Sequence, residues 1–156
     1  MGNKPSALAI RLLALPSALY CAHLGRLLGT RFLLLTHRGR KSGRLFQTPL
    51  EVVNYDKSTR EASVISAWGE SADWYRNLDA GGAVRVAIGG RQYQPTVRFL
   101  DPKECEALLR GFRRLHPLEA RLAPYILGWK LMGTDSDLAE LAARLRAVVI
   151  GPDQPS

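Results

Sequence analysis

The sequence is poor in the residues that build disulfide frameworks and metal centres. It has only two cysteines, Cys21 and Cys105, and three histidines among 156 residues. Two cysteines cannot form a disulfide framework or a four-ligand zinc site by themselves. Because His23, His37 and His116 lack the spacing of metal ligands, we expect no metal site and treat each as an ordinary surface or partly buried histidine.

Long hydrophobic runs are also missing. The segments 8–15 and 19–28 are apolar, but Pro16 separates them and neither reaches the roughly 20 residues that a membrane-spanning helix needs. We predict instead two short amphipathic helices that form an N-terminal extension over residues 1–29. They either pack on the domain, which is the favoured alternative, or lie on a membrane interface through residues 6–28.

The sequence has no familiar catalytic motif. It contains no Walker loop and no G-x-G-x-x-G between a strand and a helix, and its carboxylates form no recognisable catalytic pair, so we assign no catalytic residue. Its 46% of hydrophobic residues excludes a disordered chain. Its net charge of +8 indicates an anionic partner: nucleic acid, anionic lipid, or a small molecule with phosphate or carboxylate groups.

The middle of the chain predicts antiparallel hairpins. Strands are expected, in order, at 32–36, 45–55, 62–66, 84–88 and 92–100. Pro49 predicts an edge position or a bulge in the second strand. The turn Gly89-Gly90 between the last two strands is the strongest hairpin signal in the chain.

Helices are predicted between and after these strands. Their expected starts are Ser71 for a helix over 73–78, Asp101, Pro117, and either Asp135 or Ser136. The last helix is predicted to continue through Val148, and residues 151–156 to form a frayed tail.

These elements predict one domain over residues 1–156. It would consist of the extension 1–29, a barrel core over 30–100 and C-terminal helices over 101–150. Since antiparallel hairpins dominate, the fold class is α+β, with a small barrel or curled sheet carrying helices, rather than a doubly wound sheet.

Two segments could bind an anionic ligand. The turn 38–44 concentrates four cations with two glycines and Ser42, which suits a phosphate, although a solvated basic hairpin tip is an equal alternative. The segment 66–78 places Trp68 and Trp74 around a loop that leads into a helix N-terminus. The alternative there is that Trp74 belongs to the core.

Motifs in these two segments and around them resemble the deazaflavin-dependent nitroreductase family. They are, in order, Thr36-His37-Arg38-Gly39-Arg40-Lys41-Ser42-Gly43, Gln47-Thr48-Pro49-Leu50, Asp73-Trp74-Tyr75-Arg76-Asn77-Leu78 and Val84-Arg85-Val86. The resemblance implies the split β-barrel of the flavin and deazaflavin oxidoreductases and the cofactor F420, a deazaflavin with a phosphate and an oligoglutamate tail. The implied reaction is hydride transfer from reduced F420 to a quinone, a nitro compound or an activated alkene.

The resemblance also implies the cofactor contacts, position by position. Its implied contacts are Arg40, Lys41, Ser42 and Gly43 at the phosphate end, Thr48 and Pro49 in the ring pocket, Ser66, Ala67, Trp68 and Gly69 at the ring edge, and Trp74 and Asn77 on the helix behind it. Tyr125 is the nearest candidate for a substrate contact.

Some positions depart from the family pattern. Phe46 stands where many members carry arginine, and the strand that often ends the family's chains is replaced by the predicted helix after Asp135. FMN therefore remains the alternative cofactor. A non-catalytic barrel that binds F420, FMN, haem or a hydrophobic ligand remains the alternative function. Spread basic residues argue against nucleic acid. We expect a cytoplasmic protein, peripheral at the membrane if the extension binds lipid, and leave a homodimer open.

Overall fold

The computed structural model describes residues 25–126 and 129–153, and their strands form a single curled sheet. The strands are β1 Phe32–Arg38, β2 Leu45–Tyr55, β3 Ala62–Ser66, β4 Ala83–Ile88, β5 Arg91–Tyr93, β6 Pro95–Phe99 and β7 Arg146–Pro152. They lie in the order β5-β4-β1-β2-β3-β7-β6, and every pairing is antiparallel. The helices are α1 Asp73–Asp79, α2 Pro102–Leu115, α3 Pro117–Ile126 and α4 Asp135–Arg144.

Chain connectivity forces this sheet to close almost into a barrel. The strands at its two ends, β5 and β6, are separated in sequence by Gln94 alone. One residue cannot span a flat seven-stranded sheet, since neighbouring strands lie about 4.8 Å apart. The sheet therefore curls until its ends approach each other, and the predicted α+β split barrel is confirmed.

The barrel interior is filled by inward-facing apolar side chains. Leu33 and Leu35 of β1, Val64 of β3 and Ile150 of β7 are fully buried there, together with Trp74 from α1. A second cluster packs α2, α3 and α4 against Ile65 and Ala147 on the outside of the sheet. The helices thus cover one wall of the barrel, while α1 covers one of its ends.

The predicted strand over 92–100 is wrong as a single element. It breaks at Gln94, so that β5 pairs with β4 and β6 pairs with β7 at the other end of the sheet. Pro49 has the local edge position that the sequence predicts. It pairs with Leu34 of β1 on one side, and on the other side β3 pairs with β2 only from Val52 onward.

The predicted last helix is also wrong beyond Arg144. Strand β7 follows it and pairs on both sides, with β3 and with β6, so the strand expected at the end of the family's chains is present. The apolar spacing of Leu138, Leu141, Leu145 and Val148 imitates a helix. In the structure the chain leaves the helix at Leu145, and a β-branched run buried on both faces enters the sheet.

Three helix caps test the sequence-based starts. Asp101 caps α2 as predicted, in a reciprocal pair with Glu104. Helix α4 is capped by Thr134 with Asp137, not by Asp135 or Ser136. Helix α1 begins after Ala72 without a side-chain cap, because the Ser71 hydroxyl instead donates to Trp68 O at 2.6 Å.

Some predictions lie outside the described residues. They include the two N-terminal helices, of which only the short 3-10 turn Gly25–Leu28 is described, and residues 154–156 of the predicted tail. The frayed tail is wrong for Gly151 and Pro152, which belong to β7. The single-domain division of residues 1–156 therefore stays a prediction. Among the described residues, no helix is long and apolar enough to cross a membrane.

Candidate functional site

A cavity of about 550 Å³ opens where the β1–β2 hairpin meets α1. Its floor comes from the ends of the two strands, one wall from the hairpin turn and the other from Trp68 and the start of α1. The lining residues are His37, Gly39, Arg40, Lys41, Ser42, Phe46, Gln47, Thr48, Trp68, Ala72, Asp73, Trp74 and Asn77. The two segments singled out from the sequence therefore meet at one site.

Strand alternation brings the two central polar groups of this cavity into the barrel. Leu33, Leu35 and His37 share one face of β1, and Phe46 and Thr48 lie opposite them on β2, with Phe46 paired to His37. The inner face is thus apolar deep in the barrel and becomes polar at its mouth. His37 is only 3% exposed there, stacked on the ring of Phe46 at 6.0 Å between centroids.

The hairpin turn is held compact by its own backbone. Gly39 N donates to Arg44 O at 2.7 Å, and Gly43 N donates to Gly39 O at 2.8 Å. Gly43 has a φ of +69°, and a Cβ on Gly39 would approach Phe46 Cε2 to 2.7 Å. Glycine is therefore favoured at both positions, at Gly43 by the positive φ and at Gly39 by the close approach of the Phe46 ring.

Arg40 links this turn to α1. Its Nη1 and Nη2 both donate to Asp73 Oδ1 at 3.1 Å, and its Nη1 and backbone N donate to Asn77 Oδ1 at 3.0 and 3.1 Å. The Asp73 side chain is 83% exposed, so its ion pair with Arg40 contributes little stability. The main effect of Arg40 is to fix the position of Asn77.

Asn77 in turn holds His37. Its Nδ2 lies 3.0 Å from His37 Nδ1, and His37 Nε2 lies 3.0 Å from Thr48 Oγ1. Burial lowers the pKa of His37 below its usual value, and the Asp73 carboxylate opposes this shift only in part. A continuous chain of hydrogen bonds therefore runs from Arg40 through Asn77 and His37 to Thr48 at the cavity wall.

Other groups on the hairpin turn are available to a ligand. Among the described residues, Lys41 forms no ion pair, and the backbone amides of Lys41 and Ser42 donate to no protein acceptor. Arg38, by contrast, donates to Gly43 O at 3.0 Å within the turn. One unpaired ammonium group beside two unused amides makes an anion-binding corner at the rim of the cavity.

Aromatic surface borders the same cavity. Phe46 and Trp68 are 45% and 62% exposed, whereas Trp74 is 8% exposed and belongs to the barrel core, as the alternative from the sequence proposed. Exposed aromatic rings such as these can stack on a flat ligand. The cavity therefore offers a flat apolar face next to its anion-binding corner.

The structure brings seven of the sequence-predicted cofactor contacts to the cavity wall. They are Arg40, Lys41, Ser42, Thr48, Trp68, Trp74 and Asn77. Gly43, Pro49, Ser66, Ala67 and Gly69 do not line it. Ser66 Oγ instead donates to Gly69 O at 2.7 Å, and a Cβ on Gly69 would meet Arg144 O at 2.8 Å, so these two residues shape the loop that presents Trp68.

The sequence did not indicate the main role of His37. Six lining residues were missed, namely His37, Gly39, Phe46, Gln47, Ala72 and Asp73. The alternation of Leu33, Leu35 and His37 would have placed His37 on the inner face. Tyr125 stands in the last turn of α3, but its side chain is outside the described part of the molecule. No three potential ligands from His, Cys, Asp and Glu come together among the described residues.

The sequence matches a known protein family. The sequence model of the F420H(2)-dependent quinone reductase family matches residues 19–120. Among curated proteins, none matches the chain.

Solved structures resemble this chain at low sequence identity. One described as a domain-swapped dimer has 19% identity and a TM-score of 0.50, over 86% of this chain and 98% of the other. An F420-H2 dependent reductase, FDR-A, has 22% identity and a TM-score of 0.49, over 77% and 93%. A pyridoxamine 5'-phosphate oxidase-related, FMN-binding protein from Nostoc punctiforme has 14% identity and a TM-score of 0.48, over 97% and 83%.

Proposed function

The chain belongs to the F420H(2)-dependent quinone reductase family, and we propose that the cavity between β1, β2 and α1 is where it binds F420 and reduces a quinone. The protein is an oxidoreductase and its cofactor is F420. We propose where the cofactor lies, which residues contact it and which electron acceptor is reduced.

The observation that carries this proposal is the pairing of an anion-binding corner with an aromatic cavity. F420 combines a flat ring with a phosphate and a chain of glutamates. The unpaired Lys41 and its neighbouring amides suit the anionic part, and the faces of Phe46 and Trp68 suit the ring. A cavity of about 550 Å³ lies within the usual range for small-molecule sites.

The structure changes the expected part played by Arg40. Its guanidinium group is engaged by Asp73 and Asn77, so we assign it to positioning and give the direct phosphate contact to Lys41 and the amides beside it. Arg44, which forms no ion pair among the described residues, adds to the local positive potential.

The reaction needs little acid–base chemistry from the protein. When bound, reduced F420 supplies a hydride, which together with one proton from water converts a quinone to a hydroquinone. The residues of the cavity orient the two rings and limit access of water to them. We assign no general acid, because the buried His37 is held between Asn77 and Thr48.

Binding of F420 is the first test. The intrinsic fluorescence of F420 is titrated with the wild-type protein, with Lys41→Ala, and with Lys57→Ala as a control that removes the same charge from the far end of β2. We expect Lys41→Ala to weaken binding roughly two- to tenfold and Lys57→Ala to leave it unchanged. Equal affinity of all three proteins would show that Lys41 does not contact the phosphate.

Turnover is the second test. Oxidation of reduced F420 is followed by its absorbance with quinones, nitroarenes and activated alkenes as acceptors. We expect the quinones to react fastest, because the matching family is one of quinone reductases. Faster reduction of the nitroarenes or alkenes would replace the quinone as the proposed substrate. Tight binding without oxidation by any acceptor would favour the non-catalytic alternative.

Membrane contact and dimer formation also remain proposals. Residues 6–28 lie outside the described residues except for Gly25–Leu28, and the domain-swapped dimer is a property of the structural neighbour. Flotation with anionic liposomes, with and without residues 1–29, tests the membrane contact. Light scattering of the purified protein tests the dimer, and a monomer mass would reject it.

A further inference from the structure

We propose that Arg40, Asn77 and His37 fix the hydroxyl group of Thr48 as a hydrogen-bond donor aimed into the cavity, toward an acceptor atom on the edge of the bound ring. This inference rests on the proposed function, because it assumes that the F420 ring occupies the cavity. The family resemblance already implies that Thr48 lies in the ring pocket, and the new part is the role of His37 as a positioning residue that acts through the Thr48 hydroxyl.

Arg40 fixes the orientation of the Asn77 amide. Asn77 Oδ1 lies 3.1 Å from Arg40 N and 3.0 Å from Arg40 Nη1. Both of these nitrogens can only donate, so they require the amide oxygen, and a flipped amide would oppose donors with donors. The Nδ2 group must therefore face His37 and donate to its Nδ1 at 3.0 Å.

The orientation of Asn77 decides the tautomer of His37. Since His37 Nδ1 accepts a hydrogen bond, it carries no hydrogen, and a neutral imidazole then has its hydrogen on Nε2. That nitrogen lies 3.0 Å from Thr48 Oγ1 and donates to it. A doubly protonated His37 would set its Nδ1 hydrogen against the Asn77 amino group, which agrees with the pKa lowered by burial.

The tautomer of His37 decides what Thr48 can offer. The Thr48 oxygen accepts from His37, so its single hydrogen is left for another acceptor, and among the described residues no protein group takes it. Thr48 lines the cavity, and its hydrogen is therefore free for a ligand. The pyrimidine-like edge of a deazaflavin carries carbonyl oxygens, which are acceptors of the required kind.

The same chain excludes His37 as a source of protons. The hydrogen on Nε2 is the last one that a neutral imidazole has, and its loss would leave an imidazolate in a buried site. His37 therefore holds its proton and orients Thr48 instead of delivering a proton to the substrate. A pH profile of turnover should accordingly show no loss of activity toward alkaline pH that the His37→Gln variant removes.

Variants at Thr48 and His37 test the contact by affinity for F420. Thr48→Val keeps the shape of the side chain without the hydroxyl, and Thr48→Ser keeps the hydroxyl. We expect Val to weaken binding roughly two- to tenfold and Ser to bind nearly as the wild type does. His37→Gln, whose amide offers one acceptor and one donor, should restore most of the affinity that His37→Leu loses.

The double variant separates a positioning role from a structural one. If His37 acts on the cofactor only through Thr48, His37→Leu should weaken binding in the wild-type background and add no further loss in the Thr48→Val background. Additive losses would overturn the proposal, as would a Thr48→Val variant that binds F420 like the wild type.

A measurement on the ligand-free wild-type protein keeps the proposal falsifiable if a variant fails to fold. Long-range ¹H–¹⁵N spectra of the histidines at neutral pH should show His37 protonated on Nε2 and unprotonated on Nδ1. Protonation on Nδ1 would overturn the inference while leaving the proposed function intact. Absence of F420 binding by the wild type would overturn the proposed function and the ligand contact together.

Discussion

Gly82 is the position where a single methyl group should disturb both the fold and the site. Its N–H donates to Asn77 O at 2.8 Å and its carbonyl accepts from Arg38 N at 2.7 Å, so it joins the end of α1 to the end of β1. A Cβ at this position would lie 2.6 Å from Arg38 O and 2.6 Å from Asn77 O. Both neighbours are backbone oxygens and cannot move aside by rotation of a side chain.

The cost of Gly82→Ala follows from these contacts. Overpacking costs roughly 1–3 kcal/mol and a weakened backbone hydrogen bond about 1 kcal/mol, whereas alanine recovers about 0.4–1 kcal/mol through the unfolded state. We therefore expect a net loss of roughly 1–3 kcal/mol. For a chain of this length that loss lowers Tm by roughly 2–12 °C.

Urea unfolding and thermal melts measure the loss, and Gly111→Ala provides the matched control. Gly111 lies within α2 and a Cβ there meets nothing within 4 Å, so alanine should stabilise the protein by about 0.5–1 kcal/mol. Because Gly82→Ala shifts Asn77, it should also weaken F420 binding at temperatures where the variant is folded. A Gly82→Ala protein as stable as Gly111→Ala would refute this account of the junction.

Three further predictions concern stability alone. Thr134→Ala should cost about 1 kcal/mol and Ser136→Ala almost nothing, and equal urea midpoints for the two variants would contradict a cap at Thr134. Tyr93→Phe should raise stability by roughly 1 kcal/mol, because the buried Tyr93 hydroxyl has no partner among the described residues; a destabilised variant would reveal an unseen partner. Burial lowers the pKa of His37, so the unfolded chain binds the proton more tightly than the folded chain does. The free energy of unfolding should therefore fall as the pH drops below about 6.5. Urea melts at several pH values should show that His37→Gln flattens this dependence.

Local sequence signals were sufficient for the hairpins and for the segments that form the cavity. The limits predicted for β2 and β3, 45–55 and 62–66, are the observed ones, because turn residues bound each run of apolar residues. The errors arose where distant pairing decided the structure. The break at Gln94 and the strand β7 both depend on which strand lies alongside, and no local pattern contains that information.

The cavity shows the same division between local and distant information. Arg40 and Lys41 were found because charges and glycines cluster in one turn, and Thr48 and Asn77 because their motifs resemble a family. His37 is treated as an ordinary histidine in the sequence because the three histidines lack the spacing of metal ligands. Its role exists only when Asn77, 40 residues further along the chain, is turned toward it by Arg40.

That dependence also explains why the polar chain stands at the rim of the barrel and not deeper inside. At the rim, the hairpin turn supplies Arg40 and α1 supplies Asn77, so the Asn77 amide and both ring nitrogens of His37 have partners. One layer deeper, Leu35 is fully buried, and although it pairs with Thr48 of β2, a histidine there would lie among the apolar side chains of the core. The end of β1 is therefore the place where the barrel can bury an imidazole and still use it to direct a hydroxyl group at a ligand.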